Sequence, residues 1–199
     1  MKVIFVVLAY LVGAIPSGYL LFRASEKKDI RQFGSRATGA TNVLRLKGWK
    51  LAIPVALIDI LKGFLPAFLA LKIFADPALA AVSASAAVLG HCFPVYIGFK
   101  GGKGVATAAG AMFAIAPLAA ALSLAVFVAV VALTRYVSLG SILGALLFPL
   151  FMALLRFPGL LIELSLPILL VILVRHAGNI GRLLSGRERK FGQKAEAAE

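Results

Sequence analysis

The stretch from Val105 to Leu133 holds 29 residues without one charged side chain. A run that long is at home in hydrocarbon, where the backbone must satisfy its own hydrogen bonds and therefore coils into helix. Five further apolar runs accompany it: Val3 to Phe22, Leu51 to Ile73, Ala78 to Ile97, Val137 to Leu155 and Leu160 to Val174. The chain as a whole is 61% hydrophobic and 15% charged over 199 residues, far from the balance of water-soluble domains. At roughly 20 residues per crossing, this length holds about six or seven spans and little else. The expectation is an all-α fold: a polytopic integral membrane helical bundle, one domain over residues 1–199, with 186–199 as a polar cytoplasmic tail. The first run is longer than a signal-peptide core and has no small-residue cleavage site before Arg23, so it reads as a retained span.

The basic residues set the expected topology. Eight lie between Arg23 and Lys50, Lys100 and Lys103 follow the third run, and six lie from Arg175 to Lys194. Positive residues are retained on the cytoplasmic side, which places these segments there and the N-terminus outside. An outer N-terminus and a cytoplasmic C-terminus require an odd number of crossings. Val105–Leu133 therefore counts twice, broken near Pro117, for seven spans. That count also brings Arg135 back to the cytoplasmic face, so that 17 of the 21 Lys and Arg lie there; the rival treats the stretch as one tilted helix and gives six spans. The formal charge of +13 is accounted for by loops beside anionic headgroups, so membrane lipids are expected partners and nucleic acid is not. A single cysteine, Cys92, and two histidines 85 positions apart offer neither a disulfide nor a metal-ligand spacing. No metal and no cofactor are expected. No internal repeat is visible, which weighs against an inverted-repeat transporter.

Three polar segments on the expected cytoplasmic side combine glycine, small hydroxyl or amide residues, and fixed positive charge, a mixture that suits phosphate. In Gly34–Arg45, Ser35, Thr41 and Asn42 can donate hydrogen bonds and Arg45 offers a two-pronged fork. In Gly90–Gly104 a glycine loop opens the next helix beside Lys103, though Ile97 and Gly104 depart from the nucleotide-binding P-loop pattern. In Arg175–Lys190 a helix would bring His176, Asn179 and Arg182 to one face. Each segment also has a plainer explanation: a solvated basic loop, a flexible interhelical turn, an interfacial helix on anionic lipid. Asp59 and Lys62, three apart within the second span, can pair and either anchor packing or shape a polar site. Ser138 and Ser141 fall at the cytoplasmic face on the seven-span count, and Glu163 is expected to snorkel at the outer end of the last span.

Together these segments resemble the acyl-phosphate:glycerol-3-phosphate acyltransferase (PlsY) family of bacterial phospholipid synthesis, over essentially the whole chain. The motifs stand here as Gly34-Ser35 with Gly39-Ala-Thr-Asn-Val-Leu-Arg45, as Gly90-His91 through Phe93-Pro94 to Lys100-Gly-Gly-Lys-Gly104, and as His176-x-x-Asn179-Ile180-x-Arg182 through Gly186-x-Glu188. Asp59-x-x-Lys62-Gly63 is similar to a further family element. One departure stands out: the family's first motif reads Gly-Ser-Gly-Asn where this chain has Gly34-Ser35-Arg36-Ala37.

The resemblance implies transfer of a fatty acyl group from acyl phosphate to the 1-hydroxyl of glycerol 3-phosphate, giving lysophosphatidic acid and phosphate, with acyl-CoA and acyl carrier protein not the direct donors. It implies a multi-pass protein of the bacterial inner membrane, its site facing the cytoplasm; a monomer suffices. Ser35, Arg45, Lys103, Ser141, His176 and Asn179 are the expected phosphate-binding and reacting shell, with Ser35, Lys103, His176 and Asn179 catalytic. Thr41, Asn42, Gly101, Gly102, Gly104 and Arg182 complete the binding surface, while Asp59, Lys62, His91 and Glu188 support it. His176, His91 or a substrate phosphate oxygen could take the hydroxyl proton. Two readings from other classes compete: a transporter for a phosphorylated anion, which needs a path open to both sides, and a lipid-binding scaffold indifferent to the side chains at 103 and 179.

Overall fold

The computed structural model describes residues 1–193; Lys194 and the remainder of the expected tail, 194–199, lie outside them. Helix α1 (Lys2–Gly13) and α2 (Ser17–Glu26) together make the first apolar span. The span expected over Val3–Phe22 is present, but its helix is broken at residues 14–16, because Pro16 has no N–H and turns Ile15 away from helical geometry. The Ile15 carbonyl freed by the break accepts a hydrogen bond from Lys62 Nζ at 2.8 Å. Helix α3 (Ala40–Lys47) turns through Gly48 into α4 (Trp49–Phe74). Asp76 then caps α5 (Pro77–Cys92), its carboxylate accepting from the Leu79 N–H at 3.0 Å with Pro77 in the first helical position.

A loop over residues 93–104 leads to α6 (Val105–Ile115) and α7 (Pro117–Thr134), so the long uncharged stretch is two helices parted at Ala116, not one tilted rod. Helices α8 (Val137–Leu154) and α9 (Gly159–Arg175) follow, and α10 (Ala177–Leu184) bends 57° away from α9. Among the described residues there is no strand. Five helices are long and apolar enough to cross a membrane, taking α1 with α2 as one, and α9 with α10 makes a sixth; α6 is shorter.

Lipid offers no hydrophobic force between helices, so the bundle holds by close approach of small residues. Gly13 and Gly90 let α1 and α5 touch backbone to backbone at Ala87 and Tyr10, and Gly63 and Gly110 do the same for α4 and α6 at Thr107 and Ile60. A Cβ at any of the four would overlap a carbonyl. Helix α5 is the most enclosed, while Leu57, Leu118 and Leu170 stand exposed on the outer faces, as a bilayer-facing surface requires. Glu163 is likewise exposed, on α9.

Candidate active site

The three polar segments, separate in sequence, meet at one end of the bundle around a cavity of about 310 Å³. Each is held by local bonding. In the first, Asn42 is buried and staples the loop before α3: its Oδ1 accepts from the Ser35 N–H at 2.9 Å, and its Nδ2 donates to the carbonyls of Phe33 (3.2 Å) and Ala37 (2.9 Å). Asn42 thus sets the position of Ser35, which lines the cavity together with Thr41 and Arg45. Arg45 makes no ion pair among the described residues.

In the second segment, Lys103 and Gly104 line the cavity and open α6. The Ala108 N–H donates to Gly104 O at 2.7 Å, whereas the N–H groups of Lys103 to Thr107 have no hydrogen-bond partner among the described residues. A helix N-terminus with free amides beside an ammonium group is an anion site in waiting. Gly101 and Gly102 are not part of the wall. They pack tightly beneath it, Gly102 against the His91 ring, and the Gly102 N–H donates to His91 O at 3.2 Å. Arg175 donates from Nε to Gly102 O and from Nη2 to Gly101 O, both at 3.0 Å, and stacks on Phe93 at 5.3 Å.

In the third segment, His176 closes α9, and its Nδ1 meets Ile172 O at 2.8 Å. A carbonyl only accepts, so Nδ1 carries the hydrogen and Nε2 keeps its lone pair. One turn on, buried Asn179 is fixed from both sides: Lys103 Nζ donates to its Oδ1, and its Nδ2 donates to Glu188 Oε1 at 2.7 Å. Glu188 arrives on residues 185–193, which fold back across the site, where Phe191 N–H donates to Arg135 O at 2.6 Å. Its carboxylate also accepts from Ser138 Oγ at 3.1 Å and Arg182 Nε at 2.8 Å. Burial opposes the Glu188 charge, but the bonds from Asn179, Arg182 and Ser138 outweigh it and hold the carboxyl below its usual range. Burial pushes the Lys103 ammonium down to about 8, against the upward pull of Glu188.

Beneath this shell lies a buried ion group. Asp59 Oδ1 pairs with Lys62 Nζ at 2.7 Å, accepts from Ser17 Oγ at 2.6 Å and stands 3.5 Å from His91 Nδ1. Asp59 and His91 touch the cavity wall; Lys62 does not, and neither does Arg182, which acts on Glu188. Ser141 and Ser138 reach the wall from α8. Away from this polar end the cavity runs between α6, α7 and α8, past Ala109, Met112, Phe113, Leu124, Phe127 and Ala145. Nothing in the sequence marks these apolar residues off from lipid-facing ones. Ser17 and Arg175 were equally hidden, the first in an apolar run and the second in a basic tail.

A cavity with a phosphate-suited end and an apolar arm matches the family whose motifs the chain carries. The family model for glycerol-3-phosphate acyltransferase matches residues 3–186. The chain belongs to that family. A glycerol-3-phosphate acyltransferase of Geobacter sulfurreducens is 48% identical over 191 residues, covering 96% of this chain and 97% of the relative. The fold superposes on a crystal structure of PlsY, an integral membrane glycerol 3-phosphate acyltransferase, in its glycerol 3-phosphate form, with a TM-score of 0.92 and 42% identity over 96% of each chain. The lysophosphatidic acid form of PlsY gives 0.89 and 41%, again over 96% of each chain. Membership in the glycerol-3-phosphate acyltransferase family selects the enzyme over the transporter and scaffold readings.

Proposed function

We propose that this protein moves a fatty acyl group from acyl phosphate to the 1-hydroxyl of glycerol 3-phosphate, producing lysophosphatidic acid and inorganic phosphate for phospholipid synthesis. The observation that carries the reading is the cavity's two-part character: a cationic, amide-lined end continuous with an apolar arm. Both substrates present phosphate, and only the donor has a tail to lay in the arm. Acyl phosphate is already activated, so the work left to the protein is to hold hydroxyl and carbonyl together and to neutralise the leaving phosphate.

The acceptor oxygen attacks the acyl carbon, the bond from that carbon to the phosphate oxygen breaks, and phosphate departs with its electron pair toward Lys103, Arg45 and the open amides of α6. The hydroxyl proton passes to His176 Nε2, whose lone pair the Nδ1–H bond to Ile172 O leaves free. Ser35, Ser141 and Asn179 orient the reacting groups by hydrogen bonds. The proposal includes a site that faces the cytoplasm from a bacterial inner membrane, with seven crossings when α6 is counted, the N-terminus outside and the C-terminus inside; the basic segments around the site support that orientation by the positive-inside rule.

The test is phosphate release and lysophosphatidic acid formation by the purified protein in detergent, given acyl phosphate with and without glycerol 3-phosphate. Product is expected only with both substrates, and Lys103→Ala and Asn179→Ala are each expected to lower the rate by about 100-fold or more while remaining folded. A folded wild-type protein that makes no product sinks the proposal.

A further inference from the structure

Arg175 lies outside the cavity wall, yet both of its hydrogen bonds go to the loop that carries Lys103 into it. Apart from Arg175 the loop is held at few points, by the Phe99 N–H on Pro94 O at 2.9 Å, the Gly102 N–H on His91 O at 3.2 Å and Arg31 on Ile97 O at 2.7 Å. Gly101 and Gly102 have no side chains to pack, and Gly98, Phe99 and Gly104 all take positive φ (67°, 62° and 84°), so the segment has many competing conformations.

We propose that Arg175 is a positioning residue: by gripping the carbonyls of Gly101 and Gly102 it turns two successive peptide planes and thereby presents the amides of the phosphate-binding loop. In a planar trans peptide the C=O and the following N–H point in opposite directions. With the Gly101 carbonyl on Arg175, the Gly102 N–H faces the other way and meets His91 O at 3.2 Å. With the Gly102 carbonyl on Arg175, the Lys103 N–H also points away from the guanidinium, as the first of the unpaired amides that continue through Thr107. Were the Gly102–Lys103 plane to flip, a carbonyl oxygen would replace the Lys103 N–H in that run and repel phosphate; were the Gly101–Gly102 plane to flip, the Gly101 carbonyl would turn against His91 O and the loop would lose that anchor. The fork geometry is what the task requires: Arg spans two carbonyls with two prongs and lies flat on Phe93, whereas Lys can offer only a point charge. His91, packed under Gly102, is the other jaw of the clamp.

The kinetic arm of the test rests on the proposed acyl transfer; a second arm does not. In the full-length protein, R175A and R175K are compared with wild type by kinetics on palmitoyl phosphate and glycerol 3-phosphate, and by calorimetric titration with inorganic phosphate. Glycerol 3-phosphate has no tail, so its affinity comes from charge and hydrogen bonds, and its KM reports the loop. In both variants that KM is expected to rise about tenfold, and phosphate affinity to fall by a like factor. Because the same amides receive the departing phosphate, kcat is expected to fall as well, by up to about tenfold, while the KM for palmitoyl phosphate, set largely by the tail, stays within about twofold of wild type. Millimolar guanidinium is expected to restore R175A in part. An R175K protein that matches wild type assigns Arg175 a charge role and overturns the proposal. So does a fall in kcat that tracks loss of folded protein with KM and phosphate affinity unchanged. If wild type binds phosphate but transfers no acyl group, the proposed function falls, and the titration alone judges the clamp.

Discussion

Arg36 stands at φ 59°, in the left-handed region where a side chain other than glycine costs about 1–2 kcal/mol. This is the position at which the family motif has glycine, so the departure puts a strained side chain at a φ that suits glycine. Arg36→Gly is expected to stabilise the protein by about 1 kcal/mol, seen as a higher melting temperature in detergent; a lower one would show that the side chain makes a compensating contact. At Ala37 it is the carbonyl, taken by Asn42 Nδ2, that joins the staple. Lys103 supplies a pH signature. Its ammonium is charged below about 8 and neutral above, so phosphate binding weakens as pH rises through that value. The KM for glycerol 3-phosphate is expected to climb over that range in wild type and to stay level in Lys103→Arg, measured at constant ionic strength. The identity of the polar residues was legible because glycine, hydroxyl, amide and charge in one short run have few other uses. Their division of labour was not: Asn42 and Ser35 are seven apart, but nothing in the residues says that the amide is used up on backbone.

Helix α6 has 11 residues and so measures about 16 Å, roughly half the hydrocarbon thickness, while α7 with 18 measures about 27 Å. If α7 returns to the cytoplasmic face at Arg135, α6 starts well below it, and Lys103 and Gly104 are recessed into the membrane beside the arm. Tail and phosphate of one donor can then be held at neighbouring depths. Ala109 lies on the arm about one turn into α6, so Ala109→Phe is expected to reduce the rate with palmitoyl phosphate far more than with octanoyl phosphate, leaving the KM for glycerol 3-phosphate unchanged. Equal loss with both donors would move the tail elsewhere. The break at Pro117 was legible because parity demanded one there, and a proline marked the place. The break at Pro16 has the same chemistry but is not legible, since no count requires it and no charge interrupts the run. Only the fold shows that its exposed carbonyl is matched by Lys62, 47 positions away.

At the scale of the whole molecule, charge and site share an end. Opposite it, Lys2 and Asp76 pair at 2.8 Å, and Arg156 marks the turn between α8 and α9. The proposed orientation predicts that a membrane-impermeant maleimide labels Arg156→Cys in intact cells and Arg187→Cys only in inverted vesicles; Cys92 is buried and stays silent in both. The reverse pattern would invert the topology and put the site outside. Residue Glu188 carries a consequence for the order in which the protein comes into being. The Ser35 loop is among the first parts made, yet the amide of Asn179 is held by a carboxylate that follows the last span. A growing chain with every span already in the bilayer still lacks the residue that completes the site. A chain that ends before residue 188 leaves Asn179, Ser138 and Arg182 without their shared carboxylate, so a segment outside the spans takes part in building the site.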